Sequence, residues 1–162
     1  MPVHAEVMVE GGDWDQVALQ ALADRAVSAT LGHLAIGGDR EVAILACDDA
    51  RIAALNADFR GKPQPTNVLS WPSGERGADH DGQVPPPPAA GEEELGDIAI
   101  AHETCIREAT EFGRPFDDHV THLLVHATLH LLGYDHTRPK DADLMETLEV
   151  EILATMGVPD PY

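Results

Sequence analysis

The chain has 162 residues, 43% of them hydrophobic and only 4% aromatic, so it is sized for one domain whose core is filled by Leu, Val, Ile and Ala. Ten basic against 29 acidic residues leave a formal net charge of −19, which repels polyanions at long range and, taken alone, argues against a nucleic-acid partner. Local cations and a bound divalent ion reverse that argument at a single site.

No apolar run approaches a membrane span, and the opening residues Met1 to Val7 carry neither a basic patch nor an apolar leader region. Cys47 and Cys105 are too few to staple a domain. The expectations are a cytoplasmic protein with no membrane partner and two buried thiols. His4 to Glu10 places Ala5, Val7 and Val9 on one side and reads as a strand. Gly11-Gly12-Asp13 is a turn with Asp13 as N-cap, and a helix from Trp14 to Leu31 follows, with Val17, Ala18, Ala21, Leu22 and Ala26 at helical spacing. Glu41 to Cys47 is a short apolar run typical of a buried strand. Asp48 and Asp49 cap a second helix, about Ala50 to Phe59, with Ile52, Leu55 and Phe59 inward. Pro63 and Pro65 keep the chain out of helix until a strand at Asn67 to Trp71, which stops at Pro72.

From Ser73 to about Glu94 the composition shifts to Gly, Asp, Glu and Pro, with Pro85 to Pro88 consecutive. This reads as a solvated, mobile insertion (about 73–94) that carries no chemistry. Leu95 to Ala101 is a fourth strand. A helix from about Glu103 to Phe112 ends at Gly113 with Pro115 beyond, a central helix runs from about Phe116 to Leu132, and a last one from about Lys140 to Met156 has Leu144, Leu148 and Ile152 inward, with Met145 and Val150 beside them. The interleaving predicts a single α/β (α+β) domain over 1–162, with one mixed sheet of about four strands covered by about five helices, the apolar Phe116–Leu132 helix central, and at least one parallel crossover.

That central helix bears the informative motif, His126-Ala-Thr-Leu-His130-Leu-Leu-Gly133-Tyr134-Asp135-His136. One helical turn separates His126 from His130, so both rings emerge on one face. Gly133 is placed for a left-handed cap that turns the chain back and lets His136 reach them. Three neutral imidazoles with a fourth position open are the ligand set of a catalytic zinc site. Histidine pairs at this spacing arise by chance as packed or capping residues, whereas three with a glycine at the turn rarely do. His119, His122, His126 and His130 share a stripe about 80° wide. In it His122 is a candidate for the space behind the ligands or toward substrate, and His119 is expected at the surface. The spacing matches that of metzincin proteases, but Ala127 stands where their glutamate base belongs and cannot take a proton.

Together with Asn56-x-x-Phe59-Arg60, Pro65-Thr66-Asn67-Val68-Leu69-Ser70 and Gly96-Asp97-Ile98, the histidine motif resembles that of the bacterial YbeY-type proteins, over about residues 40 to 153. The resemblance implies a single α/β domain with one Zn2+ on His126, His130 and His136, and Arg60 as a basic residue at the cleft. It implies a metal-dependent, single-strand-specific endoribonuclease of 16S rRNA 3′-end maturation and ribosome quality control. Its partners would be rRNA and the small ribosomal subunit, with ribosomal proteins or an assembly GTPase as further contacts. Asn67 departs from the aspartate frequent in that family, and Ala127 from a frequent glycine. Within this reading Arg60 would bind phosphate or stabilise developing charge, while Asp135 would orient a histidine, take a proton, or simply cap the turn. The rival readings are a zinc metallohydrolase of the protease type and a non-enzymatic ribosome-maturation factor with a structural zinc.

Overall fold

The computed structural model describes residues 3–162, so Met1 and Pro2, part of the stretch read for a leader, lie outside the described residues. Four strands, β1 (Val3–Val9), β2 (Arg40–Cys47), β3 (Val68–Pro72) and β4 (Glu94–Ala101), form one sheet in the order β1-β2-β4-β3. β1, β2 and β4 run parallel, and β3 is antiparallel to β4 on the outer edge. Five helices complete the chain: α1 (Gln16–His33), α2 (Asp49–Arg60), α3 (His102–Phe112), α4 (Phe116–Leu131) and α5 (Pro139–Thr155). The expected crossover is β1-α1-β2, and the single mixed sheet is the expected α+β architecture.

Side-chain alternation along the strands separates two cores. Val42, Ile44, Ala46, Ile98 and Ile100 face a large core shared with α1, α4 and α5, where Leu19, Leu124 and Ile152 are buried. Leu45, Cys47, Ala99, Ala101, Leu69 and Trp71 face a smaller one closed by Ile52 and Leu55 of α2. Where both faces are covered the strands are continuous apolar runs, Val42 to Cys47 in β2 and Ile98 to Ala101 in β4. The thiols are buried as expected; burial pushes Cys47 up to about 12 and Cys105 higher still, which leaves both unreactive.

Three local expectations are corrected. α1 is capped by Asp15, whose side chain accepts from the Ala18 N–H at 3.1 Å, and not by Asp13. Trp14 stays out of the helix because its indole N–H donates to the Cys47 carbonyl at 3.0 Å. Phe59, expected inward, is 63% exposed: it shares the stripe of Ile52 and Leu55, but in the last turn of α2 its ring meets Trp71 and otherwise faces solvent. The segment from about 73 to 94, expected to be a mobile, solvated insertion, is tied down. Arg76 is 6% exposed and donates to the carbonyls of Leu131 (2.8 Å) and Leu95 (3.2 Å), and also to Ser73 and Glu92. Leu131 lies in the last turn of α4, so this guanidinium satisfies an orphan carbonyl at the negative end of the helix dipole. Further along, Asp81 accepts from the Asp141 N–H and Gly82 donates to Asp141, both at 2.8 Å, clamping the segment to the first turn of α5. Pro139 occupies the first turn of that helix, where a missing N–H costs nothing.

The end of α4 shapes everything that follows. Gly133 N–H donates to the His130 carbonyl and Tyr134 N–H to the Leu129 carbonyl, both at 3.0 Å, which is the Schellman pattern. It requires the positive φ of Gly133, +102°. A Cβ there would also meet the Arg76 carbonyl oxygen at 2.4 Å. Gly133→Ala is therefore expected to lower stability in urea unfolding by about 2–3 kcal/mol. Gly91→Ala, where nothing lies within 4 Å, should change it by less than about 0.5 kcal/mol.

Candidate metal centre

Helical spacing on α4 and the turn at Gly133 bring one ring nitrogen each from His126, His130 and His136 within 4.8 Å of one another. The ring centroids are 4.6 Å apart for His126 and His130, 5.0 Å for His130 and His136, and 5.5 Å for His126 and His136. The Schellman turn has a second consequence. It presents the Tyr134 carbonyl to His130, whose Nδ1–H donates to it at 2.9 Å. His126 Nδ1–H donates in turn to Glu149 Oε2 at 2.9 Å.

Both acceptors lack hydrogens of their own, so both Nδ1 atoms carry the proton and both Nε2 atoms turn a lone pair inward. Those two Nε2 atoms are 3.1 Å apart. Facing lone pairs at this distance are stable only with a cation between them, whether a proton or a metal ion. Two nitrogens bound to one tetrahedral zinc would be separated by about 3.3 Å. Burial, then the neighbouring His126 and His136, pull His130 down to about 4, so its imidazole is neutral and available as a ligand. The donor set fits a divalent ion that accepts imidazole nitrogen.

Glu149 is the residue that sequence reasoning missed. It is 0% exposed, and its carboxylate accepts from His122 Nε2 (2.7 Å), His126 Nδ1 (2.9 Å) and the Tyr162 hydroxyl (2.7 Å). Burial pushes its pKa up, but the hydrogen bonds from His122, His126 and the Tyr162 hydroxyl outweigh it and hold the carboxyl at about 2. A signal for it did exist: Glu149 falls in the buried stripe of α5 with Met145, Ile152 and Leu153, and a carboxylate in such a stripe needs a partner.

The remaining candidates are dispersed. His122 joins the site through Glu149. His119, expected at the surface, is 3% exposed, because α3 packs beside α4 and Glu108 accepts from its Nε2 at 2.8 Å. Asn67 Nδ2 also donates to Glu108, at 2.9 Å; an aspartate in its place would set one carboxylate against another. Asp135 is exposed and accepts from the His136 N–H at 2.7 Å and weakly from Thr137 at 3.3 Å, so in this structure it fixes the turn that carries His136. Arg60 ends α2 on the sheet face opposite α4 and is exposed, with no side-chain hydrogen bond or ion pair among the described residues. Beside the histidines, a cavity of about 260 Å³ lies between Tyr134, Asp135 and Arg138 on one wall and Gly77, Gln83 and Pro85 on the other.

This is an α+β protein whose central helix, with the turn that follows it, brings together three histidines able to hold a metal ion. The family model for Endoribonuclease YbeY matches residues 8–157, and the chain belongs to that family. Relatives named Endoribonuclease YbeY are 56% identical in a Ruegeria species (97% of this chain, 95% of the relative), 53% identical in Paracoccus denitrificans (100% and 91%) and 52% identical in a Jannaschia species (99% and 100%). The fold is also that of a Thermotoga maritima protein solved in solution, with a TM-score of 0.54 and 22% identity over 93% of this chain and 91% of that one.

Glutamine at position 149 keeps one acceptor oxygen for two histidine donors. Glu149→Gln is expected to weaken divalent-metal affinity about 10- to 100-fold, measured by competition with a chromogenic chelator. Unchanged affinity would show that the carboxylate does not orient His126.

Proposed function

We propose that the protein is a metal-dependent, single-strand-specific endoribonuclease acting in 16S rRNA 3′-end maturation and ribosome quality control. In this reading it works in the cytoplasm, with one Zn2+ per chain held by His126, His130 and His136. Its partners are rRNA and the small ribosomal subunit, with ribosomal proteins or an assembly GTPase as further contacts. No described helix is long and apolar enough to cross a membrane. The observation that carries the reading is the pair of Nε2 lone pairs fixed 3.1 Å apart by hydrogen bonds on the far side of each ring.

A divalent ion bound there supplies Lewis acidity toward a phosphodiester and its attacking water. The protein's own groups do the rest. Glu149 and the Tyr134 carbonyl hold the two α4 rings in the ligating tautomer. Arg60 binds a phosphate oxygen of the substrate, as a planar donor not consumed by the fold. Asp135 keeps one carboxylate oxygen nearly free beside His136 and is the proposed proton acceptor. Protease chemistry has less support: Ala127 is packed in the core at 1% exposure, and both oxygens of Glu149 are engaged by histidines.

Metal-loaded protein is expected to cleave precursor 16S rRNA in small-subunit particles. Chelation or His126→Ala should reduce the rate at least about 100-fold, and added Zn2+ should restore only the chelated wild type. Cleavage that survives His126→Ala, or hydrolysis of casein in place of RNA, would overturn the reading. Arg60→Gln is expected to slow cleavage about 100-fold while metal content stays unchanged; full activity would remove Arg60 from the mechanism.

A further inference from the structure

Phe59 is a large aromatic side chain, 63% exposed, and it does not stand alone. Its ring lies 5.2 Å from that of Trp71 at an interplanar angle of 66°, an edge-to-face pair at the outer strand of the sheet. The surrounding charge is unusual for this chain. Of its ten basic residues, Arg40, Arg51, Arg76, Arg107, Arg114 and Arg138 are committed to carbonyls or carboxylates within the fold. Arg25, Arg60, Lys62 and Lys140 make no such contact among the described residues, and only Arg60 and Lys62 are neighbours in sequence. They flank Gly61, whose φ of +68° ends α2, and both are exposed beside Phe59.

The two rings lie on the α2 face of the sheet, across β3 from the helix that carries His126 and His130. A Cβ on Gly96 would collide with the Trp71 carbonyl oxygen and approach Leu131 Cδ2 to 2.9 Å, so the backbone end of β3 borders Leu131 in the last turn of α4. β3 is an edge strand, with α2 over the face that bears Trp71 and α4 against the other, so its free edge separates the aromatic pair from the histidine helix.

We propose that Phe59 and Trp71, with Arg60 and Lys62, form a subsite that stacks one unpaired nucleobase of single-stranded RNA and holds its adjoining phosphates. The proposal rests on the endoribonuclease reading above. Any base offers a π-face to such a platform, whereas bases in a duplex are already stacked, so the subsite selects unpaired strands without reading sequence. Asp97, opposite Trp71 in the strand ladder and exposed, adds an acceptor for base N–H groups.

The test uses the full metal-loaded chain and a 2′-O-methyl RNA of about 12 nucleotides, single-stranded or annealed to its complement. The single strand is expected to quench tryptophan fluorescence, with the signal lost in Trp71→Phe. Phe59→Leu should weaken binding roughly 5- to 100-fold with metal content unchanged, and Phe59→Trp should restore it. Equal binding by Phe59→Leu and wild type, with His126→Ala still abolishing rRNA cleavage, overturns the subsite and leaves the nuclease reading standing. Equal affinity for the duplex also overturns it. A wild type that neither binds nor cleaves RNA overturns both. Self-association that disappears in Phe59→Leu, without effect on RNA binding, would assign the patch to a second copy of the chain.

Discussion

A carboxylate sealed from solvent is a large desolvation cost, several kcal/mol after relaxation, and Glu149 persists because three donors surround it. The candidate metal centre depends on that arrangement. Glu149 comes from α5, its histidine partners from α4 and its phenol partner from Tyr162, so one buried anion joins three parts of the chain and fixes a ring tautomer among them. The energetics explain why the anion is kept. An apolar residue would pack α5 against α4 at lower cost, but it would leave His126 free to rotate and His122 without a partner.

The other half of the site is held by backbone. Gly133 allows a turn that hands the Tyr134 carbonyl to His130 and carries His136 back over the helix end. Arg76 then closes the same helix end from the side by taking the Leu131 carbonyl. The 73–93 segment is thus an external brace: it grips the end of α4 through Arg76 and the start of α5 through Asp81 and Gly82, and His136 lies on the short connection between those two grips.

Local patterns announced the parts of the molecule that are decided locally. Strand alternation, helix caps at Asp48 and Gly113, and the i, i+4 histidine pair with its glycine turn follow from neighbours within a few residues, and they are legible in the sequence. What was not legible depends on contacts between distant segments. His119 is buried because Glu108 of α3 meets it, and Phe59 is exposed because the packed surface under α2 runs out at its last turn. Arg76 looked like one charge in a polar, proline-rich stretch, and only the fold puts it under a helix end. Glu149 lies between: its position in an apolar stripe was visible, but its partners were not.

The net charge of −19 and an RNA substrate are reconciled by how the cations are used. Six of ten basic residues hold the fold together, and with all ten counted the net charge is still −19, so the long-range potential is acidic. A duplex carries one phosphate charge per about 1.7 Å of axis and meets that repulsion over its whole length. A single strand has fewer charges per unit length, bends, and can present one phosphate to Arg60 and Lys62 while its base finds the aromatic pair. Under the endoribonuclease reading, the acidity of the chain is therefore part of its discrimination: binding relies on a few local contacts at the edge of β3 and on an ion at the end of α4, and a substrate unable to unstack a base and turn around that edge gains neither.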